Sequence, residues 1–460
     1  MYKIDFNSPS RVYFLGIGGI SMSGLAEILK QAGFTVYGSD RKSTAITRAL
    51  EEKGIPVKYG ESASHIPADI DCAILTSAVR ETNPELCAIK ERGIPCLTRA
   101  ELLGQLMKNY ATSVAVSGTH GKTTTTSMIS EILLAAGTDP TLSLGGILKS
   151  IGSNVRVGGK KFFVAEACEY TNSFLSLFPT VGLILNIEED HLDFFKDLSE
   201  IRRSFRRFAE LIPPEGSLII NADIPDYEEL TRGLSCKVIT FSCTQSRADY
   251  SVADVTYDSL GHPSFLLHSP VSGAERFSLK VPGLHNVGNA VAAVALADCL
   301  SIERATASSA LGAYAGTDRR FEYKGSVGGV TVIDDYAHHP TEITATLSAA
   351  QSYPHKTLWC VFQPHTFSRT KQFMTEFAKA LSLADRVVLA DIFPARETDN
   401  LGISSENLRA EIRALGHECF YFPSFDEIEN FLLENCINGD LLITMGAGDV
   451  VKIGENLLGS

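Results

Sequence analysis

No stretch of this 460-residue chain approaches twenty consecutive apolar residues, which excludes an evident membrane-spanning helix. No basic run is present, and 41 Lys plus Arg stand against 54 Asp plus Glu, a net charge of −13. That balance favours solubility and argues against a general nucleic-acid surface. The ten cysteines include no Cys-x-x-Cys pair, so neither a zinc knuckle nor a disulfide framework is expected. They read as small buried hydrophobes in a reducing cytoplasm. No signal-peptide pattern follows Met1, and Ile4-Asp5-Phe6 is too polar a start for export, so a cytoplasmic location is expected. Solenoid repeats and low-complexity segments are also lacking.

What the chain does have is alternation. Short apolar runs trade places with longer helical patterns throughout, the mark of an α/β protein with parallel sheets covered by helices. The length calls for two to four domains, and three blocks are visible. The first, residues 1–108, holds Val12-Tyr13-Phe14-Leu15, a helical Ser21–Gln31 stretch, Thr35-Val36-Tyr37 and Ala73-Ile74-Leu75-Thr76. The second, residues 109–319, carries strands at Phe162-Phe163-Val164-Ala165, Val181–Leu185 and Ser217–Ile220, a turn-rich antiparallel stretch from about Tyr250 to Val281, and a helical Asn286–Leu300 run. The third, residues 320–460, has strands at Thr331–Ile333, Leu358–Phe362, Val387–Leu389 and Leu441–Ile443.

Residues 118–126 read Gly-Thr-His-Gly-Lys-Thr-Thr-Thr-Thr, after the apolar Val114-Ala115-Val116 and before a helical pattern. Strand, glycine loop and helix are the setting a phosphate loop requires. The backbone N–H groups of Gly118, Thr119, His120, Gly121 and Thr124 face phosphate oxygens there, Lys122 supplies a positive charge, and the Thr123 hydroxyl is placed for Mg²⁺. The loop is two residues shorter than the usual Gly-x₄-Gly-Lys-Thr, because Val116 stands where the first glycine belongs.

Further candidates cluster at strand ends, where open α/β sheets bind ligands. Glu166 and His191 each follow a strand, and a carboxylate with an imidazole there suits Mg²⁺ beside a transferring phosphoryl group. Gly283-Leu-His285-Asn-Val-Gly-Asn289 opens a small-residue helix: these are either helix-cap residues, or His285 or Asn289 meets an adenine base. Arg319-Arg320 at the second boundary is either solvated or closes over phosphates. Asp334-Asp-Tyr-Ala-His338-His-Pro-Thr-Glu342 and Gln363-Pro-His365-Thr-Phe-Ser-Arg369 read as a substrate wall, the arginine forking onto a small carboxylate. Gly16-x-Gly18 with Asp40 fits a dinucleotide turn, but Ser21 replaces the third glycine. An NAD-dependent oxidoreductase resting on that turn would leave Gly118–Thr126 unexplained. A nucleotide-regulated binding protein without catalysis is a further alternative.

Taken together, Gly16-Ile-Gly-Gly-Ile-Ser-Met-Ser-Gly24, Gly118–Thr126, Asp334–Glu342 and Phe362-Gln-Pro-His365 resemble the Mur ligases, over essentially the whole chain. The resemblance implies an N-terminal Rossmann-like domain binding UDP, a central P-loop-type ATPase domain with a mainly parallel sheet, and a C-terminal Rossmann-like domain admitting an amino acid. It implies ATP and Mg²⁺ as cofactors, with UDP-N-acetylmuramate and L-alanine as substrates joined through an acyl phosphate. Thr123 and Glu166 would hold one Mg²⁺ and His191 a second. Asn289 would meet adenine, Arg320 the phosphates and Asp334 the ribose. Gly18, Ser39, Asp40, Ser77 and Arg99 would line the UDP site, and His338, His365 and Arg369 would surround the alanine. The family often has Glu-Ala-Asp-Glu-Ser-Asp where this chain has Glu166-Ala-Cys-Glu-Tyr-Thr171, and some members have arginine where Thr366 stands. A recycling ligase that attaches a preformed peptide to the same sugar nucleotide shares much of the pattern.

Overall fold

A computed structural model describes residues 2–459 except 77. Ser77, expected at the UDP site, lies outside the described residues. Three sheets follow one another along the chain. The first is wholly parallel, in the spatial order Val57–Tyr59, Thr35–Asp40, Arg11–Leu15, Cys72–Leu75, Cys96–Thr98. Its order reverses direction beside Arg11–Leu15, and the glycine turn Gly16–Gly19 leaves that strand at the switch point where such sheets bind nucleotides.

The second sheet has ten strands of mixed direction. Thr112–Ser117 runs parallel to Phe162–Glu166 on one side and to Val181–Ile184 on the other. Ser217–Asn221 and Lys237–Ser242 continue the parallel run. Thr141–Leu148 joins Phe162–Glu166 in parallel and turns back antiparallel into Ser153–Arg156. The turn-rich region forms three antiparallel strands, Tyr250–Tyr257, Pro263–Ser269 and Gly273–Ser278.

In the third sheet the order is Glu322–Val327, Val330–Asp335, Leu441–Met445, Leu358–Phe362, Arg386–Leu389, Glu418–Tyr421, and only the first strand is antiparallel. All residues of Leu358–Phe362 and Leu441–Met445 are buried. Helices cover both faces, which is why these strands are unbroken apolar runs rather than alternating ones. Leu358, Cys360 and Phe362 pack into one flanking core with Ile343 and Phe377, while Trp359 and Val361 pack into the other with Ile428 and Ile453.

By compactness the chain forms two units. One comprises the residues up to Glu188 with Leu198–Phe241 and Ala292–Ala307; the other comprises Glu189–Asp197, Ser242–Val291 and the residues from Ser308 on. Inside the first unit two glycines permit close backbone approach. Gly24, in the helix Ile20–Gln31, lies against Val155, and Gly104, in the helix Arg99–Met107, lies against the carbonyl of Ser176; neither leaves room for a Cβ.

Candidate active site

The phosphate loop joins Thr112–Ser117 to the helix Lys122–Ala135. Gly121 caps that helix with φ of 81°, and Gly118 has φ of 147° with Leu185 and the Asn186 backbone where a Cβ would sit. Both positions favour glycine on conformational grounds. Asn186, just past the strand Val181–Ile184, braces the loop. Its Oδ1 accepts from His120 N at 2.7 Å, and its amide donates to His120 O at 3.1 Å.

Lys122 Nζ donates to Gly118 O at 2.5 Å and Thr119 O at 3.0 Å, and pairs with Glu169 at 3.0 Å. Burial pulls the lysine pKa down, but the Glu169 carboxylate beside it outweighs burial and leaves it raised, so the ammonium is charged. Thr123 Oγ1 donates to Glu166 Oε2 at 3.1 Å, while Gly145 N donates to Glu166 Oε1 at 2.5 Å. Lys122, Thr123 and Glu166 are thus brought together as neighbours. Glu169, which the sequence reading did not single out, sits only three positions beyond Glu166 and is 2% exposed.

At the N-terminal turn, Gly18 N donates to Asp40 Oδ2 at 2.8 Å, and Arg99 Nη1 donates to Ser21 Oγ at 3.2 Å. Ser39 points inward: its hydroxyl donates to buried Glu85 at 2.5 Å, and its carbonyl accepts from Gly16 N and Ile17 N. The hydroxyl therefore shapes the turn from beneath.

The second unit gathers a different cluster. Arg369 Nη2 and Nε donate to Asp190 Oδ1 at 2.9 and 3.3 Å, and Nη1 lies 3.2 Å from His365 Nδ1. His338 stands edge-on to His365 with ring centroids 5.8 Å apart and pairs with Glu342 at 3.3 Å. Burial pushes both histidines down to about 4, so both are neutral at pH 7; His338 donates through Nδ1 to Tyr336 O and keeps Nε2 as an acceptor, whereas His365 accepts from Arg369 through Nδ1. Burial alone would raise Asp190, but the Arg369 guanidinium holds its carboxyl well below the usual carboxylate range. Arg320 faces Glu342 at 4.0 Å and lies over the Tyr336 ring. Asp334 is fully buried, its oxygens taken by Arg319 Nε at 2.9 Å and Thr444 Oγ1 at 2.7 Å. Asp335 accepts from Phe321 N and Ala337 N, and burial pushes it up to about 6. Asn289 is buried and bonded to Asn286, whereas His285 is exposed.

Three family descriptions match the chain in succession. They are "Mur ligase family, catalytic domain" over residues 11–111, "Mur ligase middle domain" over 116–297, and "Mur ligase, glutamate ligase domain" over 319–448. The UDP-N-acetylmuramate–L-alanine ligase of Lachnospira eligens is 58% identical over 458 residues, covering 100% of both chains. This chain belongs to the Mur ligase family. As a Mur ligase it shares the three-domain α/β fold of the Thermotoga maritima UDP-N-acetylmuramate–alanine ligase crystal structure, with a TM-score of 0.80 and 28% identity over 98% of each chain. It is also similar to a murein peptide ligase from Psychrobacter arcticus, with a TM-score of 0.72 and 26% identity over 98% of each chain. Family membership removes the oxidoreductase alternative and accounts for ATP use by this Mur ligase.

The residues present suit Mg²⁺. The Thr123 hydroxyl and the Glu166 carboxylate are hard oxygen donors, already adjacent, at the head of the phosphate-loop helix. Among the described residues no helix is long and apolar enough to cross a membrane.

Proposed function

We propose that this chain joins L-alanine to the lactyl carboxylate of UDP-N-acetylmuramate in the cytoplasm, consuming ATP, as a step of peptidoglycan synthesis. The phosphate loop, with Lys122 charged and Glu166 at its mouth, carries the ligase reading. The two substrates follow from the full-length relative named for that reaction.

A carboxylate is a poor acyl donor because hydroxide leaves reluctantly. Transfer of the γ-phosphoryl group to it gives an acyl phosphate, which the alanine amine then attacks with loss of phosphate. The first step brings two anions together, and unit charges ~4 Å apart repel by about 4 kcal/mol at an effective dielectric of about 20. Lys122 and the loop amides neutralise that charge and hold the γ-phosphoryl group in line. Thr123 and Glu166 would hold one Mg²⁺ and His191 a second, supplying further neutralisation of phosphate charge when bound. Arg320 completes the phosphate side, while Asp334 fixes Arg319 and hence the turn presenting Arg320. Asn289 and His285 serve the adenine. Gly18, Asp40 and Arg99 serve the UDP moiety, with Ser39 shaping the turn. His338, neutral, accepts from the alanine ammonium through Nε2, while His365, accepting from Arg369 through Nδ1, lines the same pocket and Arg369 takes the carboxylate.

ADP release measured with L-alanine, glycine, L-serine and a tripeptide as acceptors tests the reading. Release that requires both the sugar nucleotide and an amino acid, fastest with L-alanine, is expected. Preference for the tripeptide would move the protein to the recycling reaction instead.

A further inference from the structure

Asp190 precedes His191 and is 7% exposed. One of its oxygens, Oδ1, accepts from His191 N at 2.7 Å as well as from both Arg369 nitrogens. The other, Oδ2, lies 3.7 Å from His191 Nε2. His191 itself has φ of 53°, a left-handed conformation that a residue with a side chain keeps only when its surroundings hold it. Two hydrogen bonds from Phe194 N and Phe195 N to His191 O, both 2.9 Å, close the turn behind it. His339 Nδ1 accepts from Thr341 N, leaving Nε2 as the donor to Glu189 O at 3.1 Å, so the segment is tied at two successive residues.

The edge of Arg369 that Asp190 occupies matters. Asp190 takes the Nε/Nη2 side and His365 faces Nη1. Of the five guanidinium N–H groups, these contacts among the described residues use one on Nε, one on Nη2 and one on Nη1, which leaves one on each terminal nitrogen for a further partner. Those two donors suit a carboxylate. Asp190 therefore orients the guanidinium without consuming all of the donors a ligand needs.

We propose that Asp190 is a positioning residue for the acceptor. It aims the two remaining donors of Arg369 at the carboxylate of an α-amino acid and, through the same oxygen, fixes the turn that carries His191. The inference rests on reading the chain as an amino-acid-adding ligase. A bulkier acceptor without a carboxylate near its amine gains nothing from this arrangement.

The test is steady-state kinetics of Asp190→Asn and Asp190→Glu beside the wild-type enzyme, with each substrate varied in turn and thermal melting as the folding control. Asn keeps an acceptor oxygen at the same reach but removes the charge. It is expected to raise KM for L-alanine about tenfold or more, with KM for ATP and for the sugar nucleotide within about twofold. Asp190→Glu, which restores the charge, is expected to recover part of that loss. Arg369→Lys, alone and combined with Asp190→Asn, gives non-additive effects if the two residues act as one unit. A folded Asp190→Asn enzyme with unchanged KM for L-alanine, or with all three KM values raised alike, overturns the proposal. Wild-type enzyme that releases no ADP in response to any amino acid would instead bring down the ligase reading beneath it.

Discussion

The phosphate loop and the Arg369 cluster each hold one cation, by opposite means. Lys122 is gripped by carbonyls of its own loop, three and four positions away, and by one carboxylate 47 positions on. Arg369 is held by Asp190, 179 positions away, with His365 on its other side. At the loop, backbone groups do the positioning, and the lysine needs only a counter-ion. In the other cluster, side chains from separate strand ends position one another, so each is only as well placed as its neighbours. The first design tolerates change around it; the second spreads any change.

The largest effect expected comes from breaking the loop's cation. Lys122→Ala should lower turnover by roughly three orders of magnitude or more, because charge on the transferring phosphoryl group loses its preorganised partner. It should also lower the melting temperature, since buried Glu169 loses the cation it pairs with. Adding Glu169→Gln should restore much of the melting temperature and none of the turnover. Near-normal ADP release from Lys122→Ala would refute the site.

Glu166→Gln comes next. It retains a hydrogen-bond acceptor for Thr123 and Gly145 but loses a charge, so turnover should fall by about a hundredfold and half-activation should need more Mg²⁺. A Mg²⁺ titration of the variant against wild type measures this. Turnover and metal dependence both unchanged would remove Glu166 from the metal site.

Gly118→Ala sharpens the contrast by disturbing backbone alone. Its φ of 147° and the crowding from Leu185 disfavour any side chain. KM for ATP should rise by roughly tenfold while KM for L-alanine stays put. An equal rise in both would mean that the two clusters are not independent.

The smallest effect is a pH dependence of stability in the second cluster. His338 and His365 are held at about 4 against an ordinary 6.5, so the unfolded chain binds more protons between those values. Stability from them is present above 6.5 and is lost as pH falls toward 4, by ~1–3 kcal/mol. Asp335 works the other way: raised to about 6, it stabilises most below 3.8 and less as pH climbs through 6. Melting temperatures from pH 7 to 5 should therefore decline, and His338→Gln should flatten the decline. An identical slope in that variant would contradict the burial of its ring.

This contrast also explains what could be read in advance. Gly118–Thr126 is contiguous, so strand, loop and helix announced themselves, and the antiparallel stretch near Tyr250–Val281 was legible from its turns. The apolar runs of Leu358–Phe362 and Leu441–Met445 were equally plain, because both faces of that sheet are covered. Short edge strands such as Val57–Tyr59 and Glu418–Tyr421 carry exposed residues and mark no run of their own. Ser39 is the opposite lesson. It stands at the end of a strand beside a glycine turn, yet its hydroxyl turns to Glu85, and no local pattern reveals a partner 46 positions away. Asp190 was passed over because its neighbour His191 has the more conspicuous chemistry, and its bond to Arg369 spans most of two sheets in sequence.

Gly24 and Gly104 offer a handle that none of the reacting groups provides. Both are shims of zero thickness, one under each of two helices of the leading sheet, where they meet Val155 and Ser176. A single methyl group inserted at either place acts as a spacer, pushing the helix Ile20–Gln31 off Val155 or the helix Arg99–Met107 off the Ser176 backbone, while the side chains of the phosphate loop and of the Arg369 cluster stay native. Helix packing in the leading sheet thereby becomes adjustable separately from the chemistry of the reacting groups.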